Sequence, residues 1–254
     1  MYEPFDLSGH VALVTGGNNG IGLGMARGLV DARARVCIWG TNEERNASAL
    51  EELTGRGEAE SMRVDVSDED AVTTAIADVV ERYGRLDSCF ANAGVGGNRT
   101  PLLETGLDDF RAITRINIDG TFVTLREAAR HMVDLGNGGS LVGTASLSAR
   151  MGAAGNYAYT ASKSAIIAMT KALAVELARH RIRANAILPG WTESGMTADT
   201  FANERFASNV MPRMPVRRWG TGDDFGGIAV YLASPASEFH TGDAILLDGG
   251  YSIY

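Results

Sequence analysis

Short apolar runs alternate with longer helical stretches along almost the entire chain. Residues 11–15, 36–39, 86–91, 140–144, 183–188 and 244–247 read as strands, and 61–64 as a weaker seventh. Helical patterns fall between them, over roughly 20–32, 43–53, 68–83, 107–135, 157–180 and 223–232. The strands lack the apolar–polar alternation that a sheet with one wet face requires, so both faces are expected to be covered. Alternation of this kind predicts an α/β protein, a doubly wound parallel sheet of about seven strands with helices on both faces. Right-handed crossovers then gather the strand C-termini along one edge, where such sheets bind ligands. At 254 residues the whole chain, 1–254, reads as one domain with no room for a separate substrate domain. Specificity is therefore expected from loops, chiefly a long segment at about 191–220 that reads as a lid.

Glycine is in excess, 31 of 254 residues, and the clearest use of it follows the first strand. Thr15-Gly16-Gly17-Asn18-Asn19-Gly20-Ile21-Gly22 joins that strand to the first helix. Glycines at 16, 20 and 22 permit a tight turn, and the helix N-terminus beyond offers free N–H groups and positive potential to a pyrophosphate. No Gly-Lys-Ser/Thr follows, which excludes a nucleotide-triphosphate P-loop and leaves a dinucleotide as the better ligand, in a fold of the Rossmann type. The formal charge of −8 argues against nucleic acid or an anionic membrane as partner. No apolar run approaches the ~18 residues of a membrane helix, and residues 1–6 lack signal-peptide character, so a cytoplasmic protein is expected. Cys37 and Cys89 sit in apolar runs and read as buried free thiols; with four scattered histidines, no metal site is expected.

Tyr159 and Lys163, four residues apart in a predicted helix, project from one face. A free phenol has a pKa near 10, and a neighbouring ammonium is expected to lower it toward use as an acid and base. Tyr157 lacks such a lysine, because Ala161 stands four residues on. Asn117 lies on the stripe shared by Phe110, Ile113 and Thr121, where its plain reading is a buried amide that bends the helix.

The Thr-Gly-x3-Gly-x-Gly turn, Asn92-Ala93-Gly94 after the fourth strand, Asp65-Val66 after the third, Pro189-Gly190 after the sixth and Asp248-Gly249-Gly250-Tyr251 after the last stand in one order. With Ser146 13 residues before Tyr159, and Asn117 in an Asn-x-x-Gly-Thr context, the chain resembles the short-chain dehydrogenase/reductase family over about residues 7–251. The resemblance implies reversible hydride transfer between NAD(P) and a secondary alcohol or ketone. It makes Asn117, Ser146, Tyr159 and Lys163 the catalytic set: Tyr159 moves the proton, Ser146 holds the substrate oxygen, Lys163 holds the nicotinamide ribose, and Asn117 holds a water leading to solvent. It assigns the cofactor to Gly16, Asn18, Asn19, Gly20, Ile21, Thr41, Asp65, Val66, Asn92, Ala93, Gly94, Tyr159, Lys163, Pro189, Gly190, Thr192 and Ser194.

Gly40 occupies the place where a carboxylate would select NAD, and the usual basic residues for NADP are also absent: Asn19 and Thr41 stand instead. The balance leans to NADP over NAD, with Arg45 a candidate for the extra phosphate against a plain reading as a solvated helix residue. Substrate contacts are expected from 94–103, 147–157 and 191–220, with Met151, Met196, Met211, Met214 and Trp219 as an apolar wall. Arg150, Arg213, Arg217 and Arg218 are candidates for a carboxylate or phosphate, or else a solvated lid surface. The branch of the family it resembles holds sugar-acid dehydrogenases and 3-oxoacyl-thioester reductases. Family members are commonly homotetramers or homodimers joined through the helices matching 107–135 and 157–180, and 251–254 is a further candidate to reach a neighbouring subunit. Two other readings stand beside this one. A non-catalytic dinucleotide-binding regulator would have no need of Ser146, Tyr159 and Lys163. A nucleotide-sugar epimerase would carry a larger C-terminal domain.

Overall fold

Seven strands, all parallel, form a single sheet, seen in a computed structural model that describes residues 3–97 and 99–253. In chain order the elements are β1 (Val11–Thr15), α1 (Gly20–Asp31), β2 (Arg35–Gly40), α2 (Glu43–Thr54), β3 (Ala59–Arg63), α3 (Glu69–Tyr83) and β4 (Ser88–Ala91). There follow α4 (Leu107–Thr114), a π-helical turn (Arg115–Asp119), α5 (Gly120–Leu135), β5 (Gly139–Thr144), α6 (Tyr157–Leu177) and β6 (Ile182–Pro189). Last come α7 (Ala198–Phe201), α8 (Glu204–Val210), α9 (Gly226–Ala233) and β7 (Ala244–Leu247). The sheet order is β3-β2-β1-β4-β5-β6-β7, so the direction of winding reverses between β1 and β4 and opens a crevice at their C-terminal ends.

The two faces divide along each strand. Val11 and Leu13 of β1 pack with Leu125, Met132 and Val79 on one side. Ala12 and Val14 pack with Met25, Leu29 and Phe225 on the other. Because both faces are buried, the strands read as continuous apolar runs. On the second face α1 meets the turn before α9 through glycines: a Cβ on Gly24 would land on the carbonyl of Gly222, and one on Gly28 would lie 2.6 Å from the Cα of Gly226. Helix ends follow local chemistry. The Asn42 side chain accepts from Arg45 N at 2.8 Å, and α3 stops at Gly84 with φ 70°.

Two segments differ from the sequence reading. The single helix expected over 107–135 is interrupted by the π turn. There Asn117 accepts from Val95 N at 2.8 Å and donates to Val95 O and Ser162 Oγ, both at 3.0 Å, and this tertiary grip accompanies the widened turn. The lid is no bare loop, because it carries α7 and α8. They are stapled by stacking of Phe201 on Trp219 (4.1 Å) and the edge of Trp191 against Phe206 (4.9 Å). No helix among the described residues is long and apolar enough to cross a membrane. Cys37 and Cys89 are buried free thiols. Asn98 of the expected substrate loop and Tyr254 of the expected C-terminal contact lie outside the described residues.

Candidate active site

Thr15, the last residue of β1, ties the crevice together. Its Oγ1 accepts from Asn92 N (3.0 Å) and Ala93 N (2.9 Å), while Asn92 Nδ2 donates to Thr15 O at 3.0 Å. The ends of β1 and β4 are thereby held apart at a fixed spacing, with the glycine turn on one side. Gly16 and Gly20 adopt φ +63° and +51°, the left-handed region that glycine enters without steric cost, and a Cβ on Gly22 would land on the Gly16 carbonyl.

A cavity of about 420 Å³ runs along this crevice. It is lined by Gly16, Asn18, Asn19, Gly20 and Ile21 from the turn, and by Asn92, Ala93 and Gly94 after β4. Ser146, Tyr159 and Lys163 form its inner end, and Pro189, Gly190, Thr192 and Ser194 follow from β6 onward. Thr41, Asp65 and Val66 are not in this lining: Thr41 is exposed between β2 and α2, the Asp65 carboxylate accepts from Ser67, and Val66 is buried in the core. Arg45 does line the cavity. So does Thr197, whose hydroxyl accepts from Ser194 N at 2.9 Å and donates to Thr192 O at 2.7 Å. Thr197 carries no motif that sequence alone would single out; its part follows from the turn it closes.

At the inner end, Lys163 is buried and donates to the Thr144 carbonyl at 2.7 Å. Burial lowers its pKa to about 8. Its Nζ lies 5.7 Å from the Tyr159 ring centroid. The expectation that Lys163 depresses the Tyr159 pKa does not hold for the chain by itself. Burial pushes the phenol above its usual value, opposed by a hydrogen bond with Ser146, while the Lys163 ammonium is turned to the Thr144 carbonyl. Asn117 sits fully buried behind this group, and its amide is committed to Val95 and Ser162. Gly94 packs between the two: a Cβ there would stand 3.1 Å from Asn117 Oδ1 and 3.3 Å from Lys163 Nζ.

A second cavity, about 250 Å³, shares Ser146, Tyr159, Pro189 and Gly190 with the first. All three segments expected to touch substrate contribute, among them Gly97, Arg99, Met151, Asn156, Met196 and Thr200. Trp191 and Tyr251 complete it, Tyr251 thus being turned into its own chain. Met214 is buried behind it, Trp219 is stacked on Phe201, and neither these nor Met211 line it. The four arginines named from sequence are engaged elsewhere. Arg150 donates to Ala244 O, Arg213 to Tyr251 OH and Arg217 to Pro212 O, and Arg218 pairs with Asp224 at 2.6 Å. Among the described residues no cluster of three or more metal-ligating side chains occurs.

A glycine turn at the switch point of a doubly wound sheet, opening onto a Tyr–Lys–Ser group, belongs to the Rossmann class of α/β proteins. A family model described as enoyl-(acyl carrier protein) reductase matches residues 16–252. The 3-oxoacyl-[acyl-carrier-protein] reductase FabG of Chlamydia pneumoniae is 36% identical over 245 residues, which cover 96% of this chain and 97% of the relative. Gluconate 5-dehydrogenase of Gluconobacter oxydans is 35% identical, with 98% and 97% covered. The crystal structure of a gluconate 5-dehydrogenase from Burkholderia cenocepacia in complex with NADP and tartrate superposes with a TM-score of 0.93 at 34% identity, covering 99% of this chain and 98% of that one. The chain belongs to the short-chain dehydrogenase/reductase family, whose members are NAD(P)-dependent oxidoreductases acting on CH–OH groups.

Proposed function

We propose that the protein interconverts a secondary alcohol and a ketone, with Tyr159 as the acid and base and NADP as the preferred cofactor. The observation that carries this reading is that the two cavities meet at Ser146 and Tyr159, with Lys163 buried beneath them. The longer cavity suits a dinucleotide: its glycines keep side chains out of the turn, and its wall at α1 presents a helix N-terminus to a pyrophosphate. Bound there, NAD(P) would supply or accept the hydride. The chain's own residues then do the rest. Tyr159, kept protonated by burial, gives its proton to the substrate oxygen in reduction and takes it back in oxidation. Ser146 donates to the same oxygen as charge develops on it. Lys163 would hold the nicotinamide ribose and, once drawn from the Thr144 carbonyl, ease the loss of the tyrosine proton. Asn117, its amide committed to Val95 and Ser162, stands behind Lys163, where the water that replaces that proton would enter.

The preference for NADP rests on Gly40 and Arg45. Asn18 Nδ2 donates to Asn46 Oδ1 at 2.7 Å and Asn46 Nδ2 to Gly40 O at 2.9 Å, so the space a carboxylate at position 40 would need is filled by amides. Arg45 lines the cavity with no ion-pair partner among the described residues. Arg45→Ala is expected to weaken NADPH binding roughly tenfold, the scale of one charge-assisted contact, and to spare NADH. Titrating both reduced cofactors reads this out, and an unchanged NADPH-to-NADH ratio of Kd values contradicts it.

The substrate classes suggested by the relatives are sugar acids or polyols and 3-oxoacyl thioesters. A panel of these, run with both cofactors, tests the reading. A cytoplasmic homotetramer or homodimer fits the same picture. On the outer face of α5 and α6 a groove of about 520 Å³ is lined by Phe122, Leu125, Met169 and Leu173, and Val175 is 83% exposed beside it. Native mass spectrometry is expected to show a dimer or tetramer, and a monomer at micromolar concentration contradicts the assembly.

A further inference from the structure

Arg99 is the single formally charged side chain lining the second cavity among the described residues. It makes no hydrogen bond or ion pair with any of them, whereas Arg150, Arg213, Arg217 and Arg218 are each engaged. Its backbone is also unusual. Arg99 holds φ +52°, a left-handed conformation costly for a residue with a Cβ. The main chain there presses against Gly155, itself at φ +73°, where a Cβ would stand 2.8 Å from both the Arg99 carbonyl carbon and oxygen. The loop after β4 and the segment before α6 are thus fitted to each other at the residue that brings a guanidinium to the cavity. Strain of this kind persists only where surrounding structure enforces it, and it concentrates at ligand sites.

We infer that Arg99 is a specificity-determining residue that receives a carboxylate of the substrate while the reacting carbon stands at Ser146 and Tyr159. The inference rests on the oxidoreductase reading above and narrows its substrate to hydroxy- or oxo-acids. A guanidinium pairs with a carboxylate through parallel N–H donors, and in a cavity otherwise free of charge nothing competes for it. A neutral polyol gains none of this and leaves the charge to water. An organic phosphate offers the same charge from another source.

The test reads occupancy of Arg99 directly, so it does not depend on turnover. The protein with NADPH is treated with phenylglyoxal, and modification of Arg99 is followed by peptide mass spectrometry with D-gluconate, 3-hydroxybutyrate, glucose 6-phosphate or neutral D-sorbitol present. At least one carboxylate is expected to slow modification of Arg99 several-fold, with sorbitol giving no protection. Protection by glucose 6-phosphate alone would make phosphate the ligand and overturn the carboxylate assignment. Equal protection by sorbitol, or none by any anion, overturns the inference. Where a carboxylate is turned over, Arg99→Met should lower the acid-to-alcohol ratio of kcat/KM about tenfold, chiefly through KM, and Arg99→Lys should recover much of it. Protection without turnover would sink the oxidoreductase reading and leave Arg99 as an anion site; turnover without protection would do the reverse.

Discussion

Replacing Tyr159 with phenylalanine is expected to lower kcat by about 10²–10⁴-fold, the range for removing a positioned acid–base group. The NADPH Kd should move by less than roughly threefold, a small change on the scale where tenfold is about 1.4 kcal/mol. The ring remains to fill the joint between the two cavities, and only the hydroxyl is lost. Because burial raises the Tyr159 pKa, the wild-type phenol stays protonated through the neutral range. Reduction should therefore hold its rate from pH 6 to 8, and fall once the phenol begins to ionise. Oxidation needs the ionised form and should climb with pH instead. A Tyr159→Phe enzyme that keeps both its rate and this pH profile would assign the proton to another group.

The second large effect concerns the scaffold. In Gly24→Ala the new methyl would overlap the Gly222 main chain, so α1 and the turn before α9 must separate. Main chain cannot swing aside as a flexible side chain does, and overpacking of this sort costs about 3 kcal/mol or more. For a protein of this size that is about 6–12 °C in Tm. Gly227→Ala, on the exposed side of α9 with nothing within 4 Å of its Cβ, is the contrasting case. It should leave Tm unchanged or raise it slightly, since alanine favours a helix over glycine by about 1 kcal/mol. Differential scanning fluorimetry of the two variants separates a contact effect from a general intolerance of glycine replacement. Equal losses in both would refute the packing argument.

Much of this architecture was legible because its physics is local. The strands' unbroken apolar runs report burial on both faces, and Val11–Thr15 and Ala244–Leu247 fall where the pattern ends. Tyr159 and Lys163 come together through helical spacing alone. The features that escaped depend on contacts distant in sequence. The π turn at Arg115–Asp119 leaves the apolar stripe of the helix intact and accompanies Asn117's grip on Val95. Charge misled around the substrate cavity, where Arg150 and the lid's Arg213, Arg217 and Arg218 have partners that only folding reveals. The arginines that line the two cavities meeting at Tyr159, Arg45 and Arg99, lie outside any motif. The Tyr159 pKa went the other way from expectation because burial raises it, and four-residue spacing fixes which face Lys163 occupies, not where its ammonium turns.

The central claim is that hydride passes between the nucleotide cofactor and a substrate carbon beside Tyr159. Its most direct test is isotope transfer. The protein is incubated with NADPH deuterated at C4, on either face, and with the ketone forms of the sugar-acid, polyol and 3-oxoacyl classes. The products are then read by mass spectrometry. Deuterium at the carbinol carbon of at least one product, abolished or nearly so in Tyr159→Phe, is the expected result. Label transferred equally well by the variant, or no label from any ketone to a protein that binds NADPH, would contradict it.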